Sequence, residues 1–339
     1  MKTLIPVIAA FVSSASQAQA GDSSLIYFQK AVAAKEARQF LVAAQYFDKS
    51  LSFNAKNLSA LLENAAVHME MRKTDQAKAL YIQALELEPG NLIAQKELMQ
   101  LYFNYRQFAK AVEMAKACAN CEGASRIIGI SLYQQEEYVQ AVQYLSQALQ
   151  QNEADAEATY IMARCYLDME EYSKAVPYYA KAISLNPDKS NWIYEKGLLH
   201  YTLNEYKDAV SNFQLAADKG YVQSNDFKEN LGYACLYSGE FDKGESLLMS
   251  VWQKKPGNKD IIRDMAEILY KGRQYDRSLQ YCQKLLEMDA KDGKALYQAG
   301  LCFQKKGEKD RGQAMCDKAI EMDPSLASLR RKKEMPGGL

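Results

Sequence analysis

Apolar residues recur at three- and four-residue steps along almost the whole chain. The pattern is clearest in residues 156–189. There Thr159, Met162, Ala163 and Tyr166 share one face of a helix expected over about 156–169. Ala175, Tyr178, Tyr179, Ala182 and Leu185 share one face of a second, over about 172–185. Asn186 and Pro187 end it, because the residue before a proline is pushed out of the helical region. Small Ala163, Ala175 and Ala182 leave room for two backbones to approach, and bulky Tyr166 and Tyr179 fill the space beside them.

The small residue early in each second helix recurs at Ala43, Ala77, Ala111, Ala141, Ala175, Ala209, Gly244, Ser278 and Gly312. Successive positions differ by 34, 34, 30, 34, 34, 35, 34 and 34 residues. A near-constant step carrying a helix-turn-helix unit predicts an all-α solenoid. Its nine units fall near 24–57, 58–91, 92–121, 122–155, 156–189, 190–223, 225–258, 259–292 and 293–326. The third is four residues short and breaks down around Cys118 and Cys121, so a seam between a three-unit and a six-unit segment is expected there. Pro177 falls inside a second helix and is expected near its start or at a slight kink. Residues 327–339 read as a solvating cap on the last unit followed by a basic run, Arg330, Arg331, Lys332 and Lys333.

The chain resembles tetratricopeptide-repeat proteins. Residues 156–189 carry the pattern in Met162, Ala163, Tyr166, Ala175, Tyr179, Ala182 and Pro187. Residues 293–326 carry it in Leu296, Ala299, Gly300, Phe303, Ala319 and Pro324, and residues 58–91 in Leu61, Ala65, Ala77, Tyr81, Ala84 and Pro89. Residues 225–258 match at Leu231, Gly232, Gly244 and Pro256. The resemblance implies a right-handed superhelix of about nine repeats and a habit of binding other proteins along an inner wall made by the first helices. At the family's wall positions stand Arg126, Tyr133, Tyr160, Arg164, Tyr194, Tyr201, Tyr233, Tyr237, Arg263, Tyr270 and Tyr297, with Phe103 just before them. Tyrosine, phenylalanine and arginine are the residue types that dominate binding hot spots. The family's lysine-asparagine clamp for acidic chain ends is absent: Lys96 is followed by Gln100 and Ile127, and Arg126 by Ile130 and Ile161. Capture of chaperone tails is therefore not implied.

Residues 1–20 read as an export leader. Lys2 supplies the positive end, residues 4–12 a short apolar core, and Ala18, Gln19 and Ala20 a small-x-small cleavage site before Gly21. The apolar run is too short to span a bilayer, no longer one follows, and no cysteine stands at the cleavage point to take a lipid. The expected location is the periplasm, or outside the cell. Lys and Arg number 42, as do Asp and Glu, which argues against a chain-wide nucleic-acid or membrane footprint.

Candidate chemistry is sparse. Both histidines, His68 and His200, occupy the tyrosine slot of a first helix and read as packing residues. No metalloprotease, P-loop, nucleophile-elbow or dinucleotide motif occurs. Cys118 and Cys121 have C-x-x-C spacing but trail a helix's C-terminal end, where the dipole favours the thiol. They read as structural thiols or a local disulfide, and no second pair completes a zinc site. The expectation is a non-catalytic adaptor without cofactor or metal, binding another protein in its groove. A self-associating spacer and a groove for a glycan or lipid are the alternatives.

Overall fold

The computed structural model describes residues 22–329, and the leader and the basic run from Arg330 lie outside them. All regular structure among the described residues is helical. The chain divides into two compact units, Met1–Glu171 and Tyr172–Leu339. The division falls inside the fifth helix pair rather than at the short third repeat. At that short repeat the chain packs on without interruption, one helix pair against the next.

In the first unit, α1 (22–36) is followed by α2 Phe40–Phe53, α3 Leu58–Glu70, α4 Thr74–Leu87, α5 Leu92–Asn104, α6 Phe108–Ala117, α7 Ala124–Gln134, α8 Tyr138–Gln151 and α9 Ala156–Asp168. The second unit holds α10 Tyr172–Leu185, α11 Ser190–Thr202, α12 Tyr206–Asp218, α13 Asn225–Ser238, α14 Phe241–Trp252, α15 Lys259–Lys271, α16 Tyr275–Met288, α17 Gly293–Lys305 and α18 Lys309–Met322. A 3-10 turn, Pro324–Leu326, closes it, and Leu326 packs beside Tyr297 and Cys316.

Two local devices repeat. Six first helices start on a capping side chain: Asn57, Asn91, Asp155, Ser224, Asn258 and Asp292 each accept a hydrogen bond from a backbone N–H of the first turn. The turn into each second helix passes through one residue of positive φ. These are Arg38, Arg72, Arg106, Glu136, Glu170, Asn204, Gly239, Arg273 and Gly307. The N–H of the next residue then reaches back five residues, as Lys73 N to the His68 carbonyl at 2.8 Å. That bond closes a Schellman-type helix end and turns the chain tightly.

The core follows from the small residues. Ala43, Ala77, Ala111, Ala141, Ala175 and Ala209 are all fully buried. Ser278 stands in for alanine because its hydroxyl donates to the Ala266 carbonyl across the helix pair at 2.7 Å. At Gly312 the approach is closer still: a Cβ there would lie 2.5 Å from the Gly300 carbonyl oxygen. Pro177 is exposed on α10, which runs through it.

The short repeat ends differently. α6 has 10 residues against 14 in α4, and Cys118 and Cys121 follow it, joined as a disulfide with Cα atoms 5.3 Å apart. Gly123, with φ +79°, then lets α7 begin. The other five cysteines are buried. No helix among the described residues is long and apolar enough to cross a membrane.

Candidate functional site

In the first unit, successive first helices carry the aromatic and arginine residues onto one face. Tyr133 on α7 donates its hydroxyl to Asp168 of α9 at 3.0 Å. Arg164 donates to the Tyr160 hydroxyl at 3.2 Å, stands 3.8 Å from Asp168, and lies 5.9 Å from the Tyr133 ring centre. Tyr138, the first residue of α8, brings its ring to within 5.8 Å of Tyr133. Together these side chains wall a concavity of about 710 Å³. Burial, with Asp168 adding to it and Arg164 opposing, pushes the Tyr133 phenol above its usual range. Its proton is therefore held as a hydrogen-bond donor.

Arg126 is engaged elsewhere. It donates from Nε to Asp155 at 2.7 Å and pairs with Glu157, so it ties α7 to the start of α9. Arg263 does the same in the second unit, donating to Asp292 at 2.8 Å. Asp155 and Asp292 are also N-caps. These two arginines thus secure one repeat to the next, and their guanidinium groups are already bonded. Phe103 is half-buried and packs edge-on to Phe108 across its own turn.

In the second unit, the tyrosines fall into two groups. Tyr194 is packed inside an aromatic cluster, its ring 4.3 Å from Tyr221 and 5.7 Å from Phe227, and its hydroxyl takes a hydrogen bond from Asn230 at 2.7 Å. Tyr201, Tyr206 and Tyr237 form a second group. Tyr206 and Tyr237 stack at 4.6 Å, and Tyr201 stands edge-on to both. Tyr233 donates to Asp264 at 3.1 Å. Tyr270 leans on Tyr275, ring centres 5.7 Å apart.

Tyr297 lines a smaller recess of about 180 Å³ together with Arg263, Glu267 and Lys294. It is 7% exposed and sits in the terminal core with Cys316, Ala319 and Leu326. The 3-10 turn lays Leu326 against it.

Sequence reasoning missed Tyr138 and Tyr206, which open second helices yet join the first-helix aromatics. The signal was a five-residue aromatic spacing, present at Phe103 and Phe108, Tyr133 and Tyr138, Tyr201 and Tyr206, and Tyr270 and Tyr275. It missed Asp168 and Asp264 as well, since their tyrosine partners lie 35 and 31 residues away.

His200 is buried, and its Nδ1 is hydrogen-bonded to a Glu205 carboxylate oxygen at 2.6 Å across the α11–α12 turn. With Asp208 these residues bring three ligand-type atoms within 4.8 Å of one another. The hydrogen bond to Glu205 accounts for the histidine's position. His68 is half-buried in the corresponding slot, where burial lowers its pKa, Asp48 opposing.

Residues 132–192 match the tetratricopeptide repeat family, as do residues 60–91 and 293–326. No curated protein sequence matches the chain. Among solved structures, the chain is similar to YrrB, described as a TPR protein with an unusual peptide-binding site. Identity there is 22%, over 56% of this chain and 97% of that one, with a TM-score of 0.41. It is similar to a point mutant of MamA at 17% identity, over 48% and 97% of the two chains, with a TM-score of 0.43. For PilF of Pseudomonas aeruginosa the values are 19%, 74%, 99% and 0.35. The matched stretches are tetratricopeptide repeats, arranged as consecutive helix pairs. Proteins that contain such repeats generally mediate contacts between proteins, and the repeat is ordinarily a non-catalytic scaffold.

Proposed function

We propose that the chain is a non-catalytic adaptor, exported to a bacterial envelope, that binds a segment of another protein along the first-helix faces of its repeats. The observation that carries this reading is the concavity walled by Tyr133, Tyr160, Arg164 and Asp168. It offers aromatic area and a guanidinium, the groups that anchor the centres of protein interfaces, with a carboxylate beside them in the same recess. The export part of the reading rests on the leader sequence, which lies outside the described residues.

The test is affinity capture from an envelope extract with the intact mature protein. Tyr160→Ala and Arg164→Ala, separately and together, should strip a defined set of partners while leaving the helical circular-dichroism spectrum unchanged. An unchanged partner set would remove the binding site from this recess. A mature chain that retains residues 1–20 and fractionates with the cytoplasm would remove the export assignment.

A further inference from the structure

The second unit carries a face on which negative charge and tyrosine rings accumulate together. α13 brings Glu229, Tyr233 and Tyr237 to it, and α15, which packs beside α13, brings Asp264 and Glu267. Tyr201 of α11 and Tyr206 of α12 complete the aromatic side, through the stack of Tyr206 on Tyr237 and the edge contacts of Tyr201. Tyr237 is exposed and the other rings are half-buried, so the group presents ring surface to solvent.

The charges there are uneven. Glu229, Asp264 and Glu267 stand on the face, with Asp226 and Asp260 at its margin. Among the described residues three cations lie against it: Arg263, engaged with Asp292 and Asp260; Lys271, paired with Glu267 at 2.7 Å; and Lys294, which shares a recess with Arg263 and Glu267 at its edge. Among the described residues neither Glu229 nor Asp264 has an ion-pair partner; Asp264 takes only the Tyr233 hydroxyl. Burial and the neighbouring carboxylates make the ionised forms of Glu229 and Asp264 costly, with the Tyr233 hydroxyl and Arg263 opposing in part at Asp264. An incoming cation would relieve both.

We propose that the face built by Tyr201, Glu229, Tyr233, Tyr237, Asp264 and Glu267 binds a lysine- or arginine-bearing peptide segment of the partner protein. The carboxylates take the charge, and the ring faces take the side-chain stem and the cation's edge. The first unit's recess has a different character, because Arg164 stands within it beside Asp168. The inference rests on the adaptor reading and adds to it the chemistry of the bound segment.

Fluorescence anisotropy with the intact mature protein tests it. The probes are three labelled synthetic peptides of equal length: one rich in lysine and arginine, one with glutamate in their place, and one of serine and glycine. The basic peptide should bind at least about tenfold more tightly than the neutral one, and more weakly as ionic strength rises. Glu229→Gln with Asp264→Asn should weaken it by about tenfold or more, and Tyr237→Ala should also weaken it. Glu321→Gln, an exposed acid on α18, should leave it unchanged.

Equal binding of the three peptides would overturn the proposal, and so would equal losses in all the acid variants. Tighter binding on deletion of residues 330–339 would assign the face to the chain's own basic run instead of a partner. The outcomes separate the two readings. Loss of peptide preference with envelope capture still dependent on Tyr160 and Arg164 would sink this inference alone. Peptide preference without any captured protein would sink the adaptor reading.

Discussion

At the residue scale the protein is governed by how little space it leaves. The periodic alanines are fully buried, and where the series changes residue type the structure finds a specific accommodation: the Ser278 hydroxyl bonds the Ala266 carbonyl, and Gly312 lies against the Gly300 carbonyl. The buried cysteines belong to the same packing. Burial pushes the thiols of Cys165 and Cys282 up to about 12 and that of Cys235 to about 11. Cys302 is also raised by burial, with Ser278 opposing. Cys165, Cys235, Cys282, Cys302 and Cys316 should therefore stay silent towards a thiol reagent in the native protein and all react in denaturant. Rapid native labelling of any of them would place it outside the core. The sign with pH follows. Below the ordinary thiol pKa both folded and unfolded chains keep these protons. Above it the unfolded thiols ionise first, so these groups favour unfolding as pH rises from about 9 towards 11 or 12.

At the element scale the repeat is set by what happens between helices. The positive-φ turn residues are spaced as the small residues are, so each pair crosses at the same place relative to its turn. Yet only Gly239 and Gly307 among them are glycine. An L-residue in the left-handed region costs roughly 1–2 kcal/mol. Glycine also loses more entropy on folding, which offsets part of the relief. Arg273 has φ 62° and an exposed side chain. Arg273→Gly should therefore stabilise the protein by about 0.5–1 kcal/mol, read as a higher urea midpoint at unchanged slope. A lower midpoint would mean that the arginine side chain contributes more than its backbone costs.

The same turns show what the sequence reveals and what it hides. Small residues at a constant step made the helix pairs legible, because close packing tolerates few residue types at a crossing. The reversed turn residue was not legible, because arginine and glutamate fill it more often than glycine does. Nor were the bonds from Tyr133 to Asp168 and from Tyr233 to Asp264, which depend on how one first helix is set against the next. The arginines show a related limit. Arg126 and Arg263 stand at wall positions by spacing, but the capping aspartates of the following first helices take their guanidinium groups. The burial of Tyr297 was not legible either, because it depends on Leu326 of the 3-10 turn packing against the ring.

At the scale of the whole chain, the contacts within each of its two units are those of a one-dimensional stack. Within each unit helices pack on their sequence neighbours, and first helices also meet the next first helix, as α5 meets α7 and α13 meets α15. A disturbance in one pair then reaches distant pairs only through those between them. Gly312→Ala supplies such a disturbance. Its Cβ would meet the Gly300 carbonyl oxygen at 2.5 Å and the Gln304 Cγ at 2.6 Å. Backbone cannot yield there without separating α17 from α18, so the cost is about 1–3 kcal/mol. Measured by hydrogen exchange, residues 293–326 should lose protection, while α11 and α12 in the same unit, and α3 to α6 in the other, keep theirs. A uniform loss across both units would mean that the chain unfolds as one cooperative body, and the nearest-neighbour account would then fail. With a local loss, the terminal pair can open while the tyrosine-carboxylate face between α11 and α15 remains assembled. Peptide binding there should then survive Gly312→Ala, because the residues that make that face do not depend on α18 for their packing.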